Sequence, residues 1–379
     1  MRLERSSENK ISSIDGDNNF SKTRYRTRNA IRSLRCWFIP YLKSRYHRGE
    51  FRPLLSYLYT EWRCNVNCYY CYTWNNQVRG MTLEVAKKSI DWLKTSGCRV
   101  VAIMGGEPLL RKDFITEVIR YGSSRGFFMY LPTNGILMDR YFIDHAGSAG
   151  VAAVNIAVDT IDEKPGLPKS FKRIEPQFKY LVKMKEKYGY IVFFNINITA
   201  GNMDDVKELT QIARRYNIGT DYHINEAPVI EQSHYKYGDR GYWITEDYYR
   251  KVDELSDWLV EKSGSGYPMV NSVEHLRAMK DFVRHRPPDW KCRAGFNSLV
   301  IRTDGTLAPC FELYSSGKDW GSIYKGQRLA ENEDLAAQKK ECNEKCLSTC
   351  NYQVAHYYDT CGRGLQWVLK HAHRGFLEM

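Results

Sequence analysis

The chain has no apolar run of about 18 or more residues, which leaves no ordinary candidate for a membrane-spanning helix. The N-terminus lacks the apolar core of a secretory signal peptide, so the expected location is the cytoplasm. Internal repeats and low-complexity tracts are also missing. Apolar residues are not scarce: 43% of the chain is hydrophobic and 26% charged, which excludes global disorder. Acidic residues are the ones in short supply, with 44 against 56 Lys and Arg and a net charge of +12. That shortage is local. Residues 1–52 hold thirteen Lys or Arg and five Asp or Glu, leaving only +4 for the remaining 327 residues. The basic excess therefore belongs to an N-terminal extension, and nucleic acid is not the expected partner of the body. The extension is suited to anionic lipid, RNA or an acidic partner, or it is a solvated tail.

Eleven cysteines without an export signal are not expected to pair as disulfides, because cytosolic thiols stay reduced. Nine of them form two groups: Cys64, Cys68 and Cys71, then Cys292, Cys310, Cys342, Cys346, Cys350 and Cys361. Clustering of this kind points to metal binding or redox chemistry. Cys36 and Cys98 stand apart as ordinary thiols.

Residues 1–28 are polar and aperiodic, and they read as loosely ordered. Residues 29–48 space Ile31, Leu34, Trp37, Phe38, Tyr41 and Leu42 among Arg32, Arg35, Lys43 and Arg45, as in a basic amphipathic helix. Pro40 should kink or divide it. Its aromatic face has two uses, contact with a membrane surface or packing on the main domain. From residue 53, strand-like runs at 54–60, 99–104, 127–131, 151–158, 190–198 and 220–225 alternate with helical patterns at 82–95, 112–125, 171–188 and 203–216. Alternation of this kind implies a parallel sheet with right-handed crossovers. About six units are countable, short of the eight of a closed barrel. Ligands should gather at the carboxyl ends of the strands.

The first run leads straight into Cys64-Asn65-Val66-Asn67-Cys68-Tyr69-Tyr70-Cys71. Three thiolates in one short loop can hold three corners of an iron–sulfur cubane and leave the fourth iron open to a ligand. A zinc site is the alternative, but structural zinc wants a fourth protein ligand. His145 and His223 are the candidates for it.

This C-x3-C-x2-C loop after the first strand of a partial (βα)6 TIM-like barrel resembles the radical S-adenosylmethionine superfamily. The resemblance implies a [4Fe–4S] cluster on Cys64, Cys68 and Cys71 that reductively cleaves S-adenosylmethionine to a 5′-deoxyadenosyl radical, which then takes hydrogen from an organic substrate. Tyr70 stands where the family places an aromatic near adenine. Gly105, Gly106, Glu107 and Pro108 match the family's GGEP element, in which the carboxylate meets the methionine amine. Thr133 and Asn134 end the third strand, and Asn155 and Asp159 flank the end of the fourth. There Ala157 replaces the serine of the family's S-x-D segment. Asn195 and Asn197 share one face of the fifth strand, and His223 closes the sixth.

The second cysteine group begins with Cys292, twelve residues, Gly305, four residues and Cys310, around an alternating apolar segment with an Asp304-Gly305 turn. That pattern reads as a hairpin converging two thiolates. Cys342, Cys346 and Cys350 would share one face if their segment is helical, and Cys361 follows. The module resembles the SPASM or Twitch extension of radical S-adenosylmethionine enzymes, with one cysteine missing and the spacing compressed. Six thiolates allow one complete auxiliary cluster; a second would need a non-cysteine ligand or an open iron. A zinc-stapled tail is the bland alternative. The expected division is residues 1–52 as a basic extension, 53–230 as the barrel, 231–289 as a helical bridge and 290–379 as the auxiliary module. The substrate class, whether peptide, small metabolite or lipid, is not legible. A reductant such as flavodoxin or ferredoxin is implied, as is peripheral membrane or acidic-partner contact through residues 1–52. An RNA-modifying enzyme of the same superfamily and a non-catalytic zinc protein are the competing readings.

Overall fold

In a computed structural model, residues 24–47, 50–71, 79–224, 246–286, 290–329, 332–343 and 346–359 are described, the side chains of Glu341, Asn343, Thr349, Cys350, Tyr357 and Asp359 excepted. The six apolar runs become strands β1 (Leu55–Glu61), β2 (Val100–Gly105), β3 (Phe128–Thr133), β4 (Ala153–Ala157), β5 (Ile191–Ile198) and β6 (Gly219–Ile224). Each is parallel to its neighbour in sequence order. The four expected helices form at Leu83–Thr95, Lys112–Ser124, Phe171–Tyr188 and Met203–Arg215. Thr82 caps the first, its hydroxyl accepting from the Val85 amide at 3.3 Å. A fifth helix, Arg140–Ala149, fills the interval that the sequence pattern left blank. Its apolar face rests on Phe142, Ile143 and Ala146 and its start on the Asp139 cap, a stretch too short and glycine-interrupted to stand out by periodicity.

The sheet is a partial barrel whose two faces follow the period of two. Leu58, Val101, Ile103, Met129, Leu131, Val154, Ile156, Phe194 and Ile196 point outward under the helices. Tyr57, Tyr59, Val100, Ala102, Phe128, Ala153 and Phe193 point into the lumen. The expected hairpin is present, with β7 (Ser298–Ile301) antiparallel to β8 (Leu307–Ala308). It also docks beside β1 in parallel, pairing Leu55 with Ser298 and Leu58 with Ile301, and so extends the barrel sheet to eight strands. Helices Glu246–Gly264 and Val273–Phe282 follow β6, within residues 231–289 that read as a helical bridge.

The N-terminal extension departs from expectation at residues 24–28, which are helical rather than loose. Residues 24–46 run as one helical segment with a wide π turn at Leu34–Phe38, just ahead of Pro40. Proline has no N–H to give to the preceding turn, and widening the ladder there accommodates the loss without a sharp break. One face is buried through Tyr25, Asn29, Ser33, Cys36, Pro40 and Ser44. Tyr25 donates to the Tyr190 carbonyl at 3.1 Å and Arg32 to the Gly189 carbonyl at 3.0 Å. Trp37 meets Phe128 edge-on at 6.1 Å. These contacts lie at the starts of β3 and β5, so the helix closes the base of the barrel, opposite the carboxyl ends of the strands.

The carboxyl end of β2 crosses β1 at close quarters. A Cβ on Gly105 would lie 2.5 Å from the Glu61 carbonyl oxygen, and one on Gly106 would lie 2.3 Å from that of Arg63. Both obstacles are backbone and cannot swing aside. Gly106→Ala should therefore cost roughly 1–3 kcal/mol or more by overpacking, read as a lowered midpoint in urea. Gly264→Ala, at an open helix end with nothing within 4 Å, should leave the midpoint unchanged.

Candidate functional site

The cysteine loop leaves β1 after Glu61, whose buried carboxylate accepts from the Trp62 and Arg63 amides at 3.0 and 3.1 Å and pairs with the Arg63 guanidinium at 2.9 Å. Three neighbouring strand ends then clamp the loop. From β2, the Gly106 amide donates to the Glu61 carbonyl at 2.8 Å and the Glu107 amide to that of Arg63 at 2.9 Å. From β3, Asn134 Nδ2 donates to Asn65 Oδ1 at 2.8 Å and lies 3.9 Å from Cys64 Sγ. From the segment after β4, the Gly166 carbonyl accepts from the Tyr69 amide at 3.0 Å. The tight GG pair is thus a packing requirement of the β1–β2 crossing.

Cys64, Cys68 and Cys71 are near enough to perturb one another electrostatically. Burial pushes the Cys64 and Cys68 thiols up to about 12. Among the described residues no three His, Cys, Asp or Glu side chains crowd together as tightly as the ligands of a single metal ion. The two histidines considered for zinc are otherwise engaged: His145 Nδ1 meets the Tyr141 carbonyl on an outer helix at 2.8 Å, and His223 belongs to β6.

Glu107 is buried, and its carboxylate accepts from Leu109 N at 2.9 Å, Thr133 Oγ1 at 2.7 Å and Asn134 N at 2.8 Å. Desolvation raises its pKa, with the three donors pulling the other way. Among the described residues Oε2 has a single donor, which leaves one lone pair for a ligand. Pro108 opens a short 3-10 turn directly after it.

Asp159, wholly buried, is the hub of the site. It accepts from the Tyr70 hydroxyl at 2.5 Å and the Asn197 amide at 3.2 Å, and pairs with Lys169 Nζ at 3.2 Å. Its carbonyl takes the Asn202 side-chain amide at 2.7 Å. Asp159 therefore serves first to join the cysteine loop to β4 and β5. Tyr70 is tied down by this carboxylate, and burial raises its hydroxyl pKa well above the ordinary range. Lys169 escaped sequence reading. Its ammonium lies 5.1 Å from the Tyr70 ring centroid, and its pKa is raised because the attraction of Asp159, Cys68 and Cys71 outweighs desolvation. A lysine in a Gly-Leu-Pro-Lys loop has no signal that separates it from any surface lysine.

The lumen between β4 and β6 is polar. Asn155 Nδ2 donates to the Tyr130 hydroxyl, and the Tyr130 ring stacks on Phe193 at 5.5 Å. His223 Nε2 lies 3.1 Å from Asn195 Nδ2 and 3.2 Å from Asp221 Oδ2. Asn155 Oδ1, Asn197 Nδ2 and Asp221 Oδ1 are buried with no hydrogen-bond partner among the described residues. Buried polar atoms left open cost stability, so their presence in a lumen marks a place for a ligand's polar groups. Asp221 was also missed; it sits two residues before His223 on the same face.

At the other cysteine group, Cys292, Cys310, Cys342 and Cys346 line one small cavity with Trp290, Glu312, Lys339 and Asn351. The segment carrying Cys342, Cys346 and Cys350, which would have put them on one face had it been helical throughout, is not one helix. Cys342 ends helix Glu333–Asn343, Cys346 lies between elements, and Cys350 begins helix Thr349–Asp359. Breaking the helix turns Cys342 and Cys346 toward the hairpin cysteines. Cys361 lies outside the described residues.

Residues 63–223 match the Radical SAM superfamily. The chain is 27% identical over 169 residues to an AdoMet-dependent heme synthase from Methanosarcina barkeri, covering 42% of this chain and 47% of that protein. It is 28% identical over 266 residues to a probable GTP 3′,8-cyclase from Methanococcus aeolicus, covering 65% and 82%. The SuiB enzyme of Streptococcus suis, solved with S-adenosylmethionine, shares the fold with a TM-score of 0.59 at 15% identity over 80% of this chain and 75% of that one. Residues 63–223 thus form a radical SAM superfamily domain, a family that uses a [4Fe–4S] cluster and S-adenosylmethionine. The chain spans about half the length of the heme synthase it matches.

Removing one member of a buried ion pair strands the other charge. Lys169→Met should lower stability by roughly 3–5 kcal/mol in urea unfolding. Tyr70→Phe, which removes one of several donors to Asp159, should cost about 1–3 kcal/mol. Equal costs for the two would show that the ion pair is not what holds the hub.

Proposed function

We propose that this chain is a radical S-adenosylmethionine enzyme that binds its [4Fe–4S] cluster through Cys64, Cys68 and Cys71 and starts hydrogen abstraction from an organic substrate in the barrel lumen. One observation carries the reading. A three-thiol loop is clamped by the ends of β2, β3 and β4 at the carboxyl mouth of a parallel barrel, where such folds keep their chemistry. When bound, the cluster supplies the electron that splits S-adenosylmethionine into methionine and the 5′-deoxyadenosyl radical. The chain's own residues bind and orient. The open lone pair of Glu107 receives the methionine ammonium, and the backbone of Gly105 and Gly106 lets the co-substrate lie close. Tyr70, Thr133, Asn134, Asn155, Asp159, Asn195, Asn197 and His223 form the wall around it, with Lys169 as the local cation for a carboxylate.

The substrate enters from the same mouth. The unpartnered atoms of Asn155, Asn197 and Asp221 support a substrate that carries both hydrogen-bond donors and an acceptor, met by the Tyr130–Phe193 stack. A peptide, a small metabolite or a polar lipid headgroup meets that description. SuiB has been solved with a precursor peptide, while the curated relatives are named for heme synthesis and GTP cyclisation. Cys292, Cys310, Cys342 and Cys346 converge as the four ligands of one auxiliary cluster, with Lys339 beside them. Cys350 and Cys361 remain as candidates for a further site. A small electron carrier such as flavodoxin or ferredoxin delivers the reducing equivalent. Residues 1–52 carry the basic surface for a membrane or an acidic partner.

Anaerobic reconstitution followed by dithionite and S-adenosylmethionine tests the chemistry. The parent should release 5′-deoxyadenosine, and the Cys64, Cys68 and Cys71→Ala triple variant none. Cys292→Ala with Cys346→Ala should lose about four irons per chain yet still release 5′-deoxyadenosine. Undiminished product from the triple variant, or zinc in place of iron, overturns the reading.

A further inference from the structure

Among the described residues the outward face of the N-terminal helix is left exposed, and its composition is unusual for exposed surface. Among the described residues eight large hydrophobic side chains are exposed, and five of them, Ile31, Leu34, Ile39, Leu42 and Tyr46, belong to residues 24–46. Isolated exposed apolar residues need no explanation, but a concentration on one 23-residue segment does. The same segment contains seven Lys or Arg and no Asp or Glu. Arg24, Arg35 and Lys43 are exposed beside the apolar residues. The inward face is already committed to the barrel base through Tyr25, Cys36 and Ser44. The far end is fastened as well. Asn297 Nδ2 donates to Ser44 Oγ at 3.1 Å, and the Tyr358 hydroxyl to the Ser44 carbonyl at 2.8 Å. The apolar residues therefore cannot turn inward without releasing those bonds.

We infer that this face docks the enzyme on an anionic lipid bilayer, with Ile31, Leu34, Ile39 and Leu42 entering the headgroup–acyl boundary and Arg24, Arg35 and Lys43 meeting lipid phosphates. Charge complementarity selects a polyanionic surface, and the apolar residues select lipid over RNA, whose backbone offers them nothing. An acidic protein patch would satisfy the cations but leave a long, narrow apolar strip to be matched by a dedicated groove. A bilayer matches it with no geometric demand. The orientation follows from the fold. The helix lies across the base of the barrel and the cysteine loop opens at the opposite end, so a docked enzyme presents its mouth away from the bilayer. Docking in this manner localises the enzyme and does not feed it a substrate extracted from the membrane. The inference is independent of the chemistry proposed for the barrel.

Co-sedimentation of the full-length, cluster-loaded protein with sucrose-loaded vesicles tests it. The vesicles are pure phosphatidylcholine or phosphatidylcholine with roughly 30% phosphatidylglycerol. Partitioning should be about tenfold or more stronger on the anionic vesicles. Leu34→Asp combined with Leu42→Asp should lower it by about tenfold or more, while Tyr324→Asp, at an exposed position remote in sequence, should leave it unchanged. Release of 5′-deoxyadenosine by the double variant at the parent rate verifies that it is folded. Equal binding by parent and double variant overturns the inference, as does equal binding to both vesicle types. Tight binding of a labelled RNA that is lost in Arg35→Glu with Lys43→Glu but retained in Leu34→Asp with Leu42→Asp would reassign the face to nucleic acid and equally overturn it.

Discussion

Asp159 is the constraint on which the site depends. Its side chain is fully buried and binds three elements at once: Tyr70 from the cysteine loop, Lys169 from the loop after β4 and the Asn197 amide of β5. A buried carboxylate is tolerable only where a counter-charge and several donors surround it. The loop that carries Lys169 must therefore fold back over the cysteines, and in doing so it delivers the Gly166 carbonyl to Tyr69. Gly166 has a φ of +73°, a conformation that glycine adopts at no steric cost. The third wall of the cysteine loop is thus built by an electrostatic requirement placed on a different strand.

The same burial governs the thiols. Cys64 and Cys68 sit in surroundings that raise their pKa to about 12, which favours the protonated form near neutral pH. Iron binds thiolates, so loading the site must expel those protons. Before loading, the neutral thiols cost the fold little. A folded pKa above the unfolded one means that this stability is present below about 9 and lost as pH climbs toward 12. The local charge of Lys169 works in favour of the ligated state, because a cluster bearing thiolates brings negative charge to a site that already holds one buried ammonium. Lys339 has the same relation to Cys292, Cys310 and Cys342, whose attraction opposes the desolvation that lowers its pKa. Each of the two cysteine groups is accompanied by a partly buried lysine, as thiolate-rich centres require when they are removed from water.

Most of the barrel was legible because the physics that forms it is local and periodic. Apolar runs marked all six strands to within two or three residues, and the Gly-Gly-Glu-Pro segment, which alone could be a tight turn, stood out through its place one strand after the three-cysteine loop and the resemblance the two share. What escaped depends on contacts distant in sequence. Lys169 and Asp221 are ordinary charged residues until the fold turns them toward Cys68 and His223. The hairpin at 298–308 was readable from its turn, but its pairing with β1 joins residues more than 240 positions apart and leaves no local trace. The Cys342–Cys346–Cys350 spacing would share one face only in a continuous helix, and the spacing alone does not say whether one forms; in the structure one helix ends at Asn343 and Cys346 lies outside helices, with Cys342 and Cys346 on the cavity of the hairpin cysteines.

The two ends of the barrel illustrate how one rule divides structure from function. At the base, the lumen is filled by aromatic and aliphatic side chains and sealed by Tyr25 and Cys36 of the N-terminal helix. Moving up β4, β5 and β6, the inward positions change from Ala153, Ile191 and Phe193 to Asn155, Asn195, Asn197, Asp221 and His223. The change occurs within two or three residues along each strand, and several of the polar atoms above it are unsatisfied. A protein stabilised only by its core would have no use for these groups, since each lowers stability where it stands. Their place on the lumen wall, at the end of the barrel that also holds the cysteine loop, suits a ligand-binding lumen: an apolar floor below, and donors and acceptors above that an incoming molecule can satisfy.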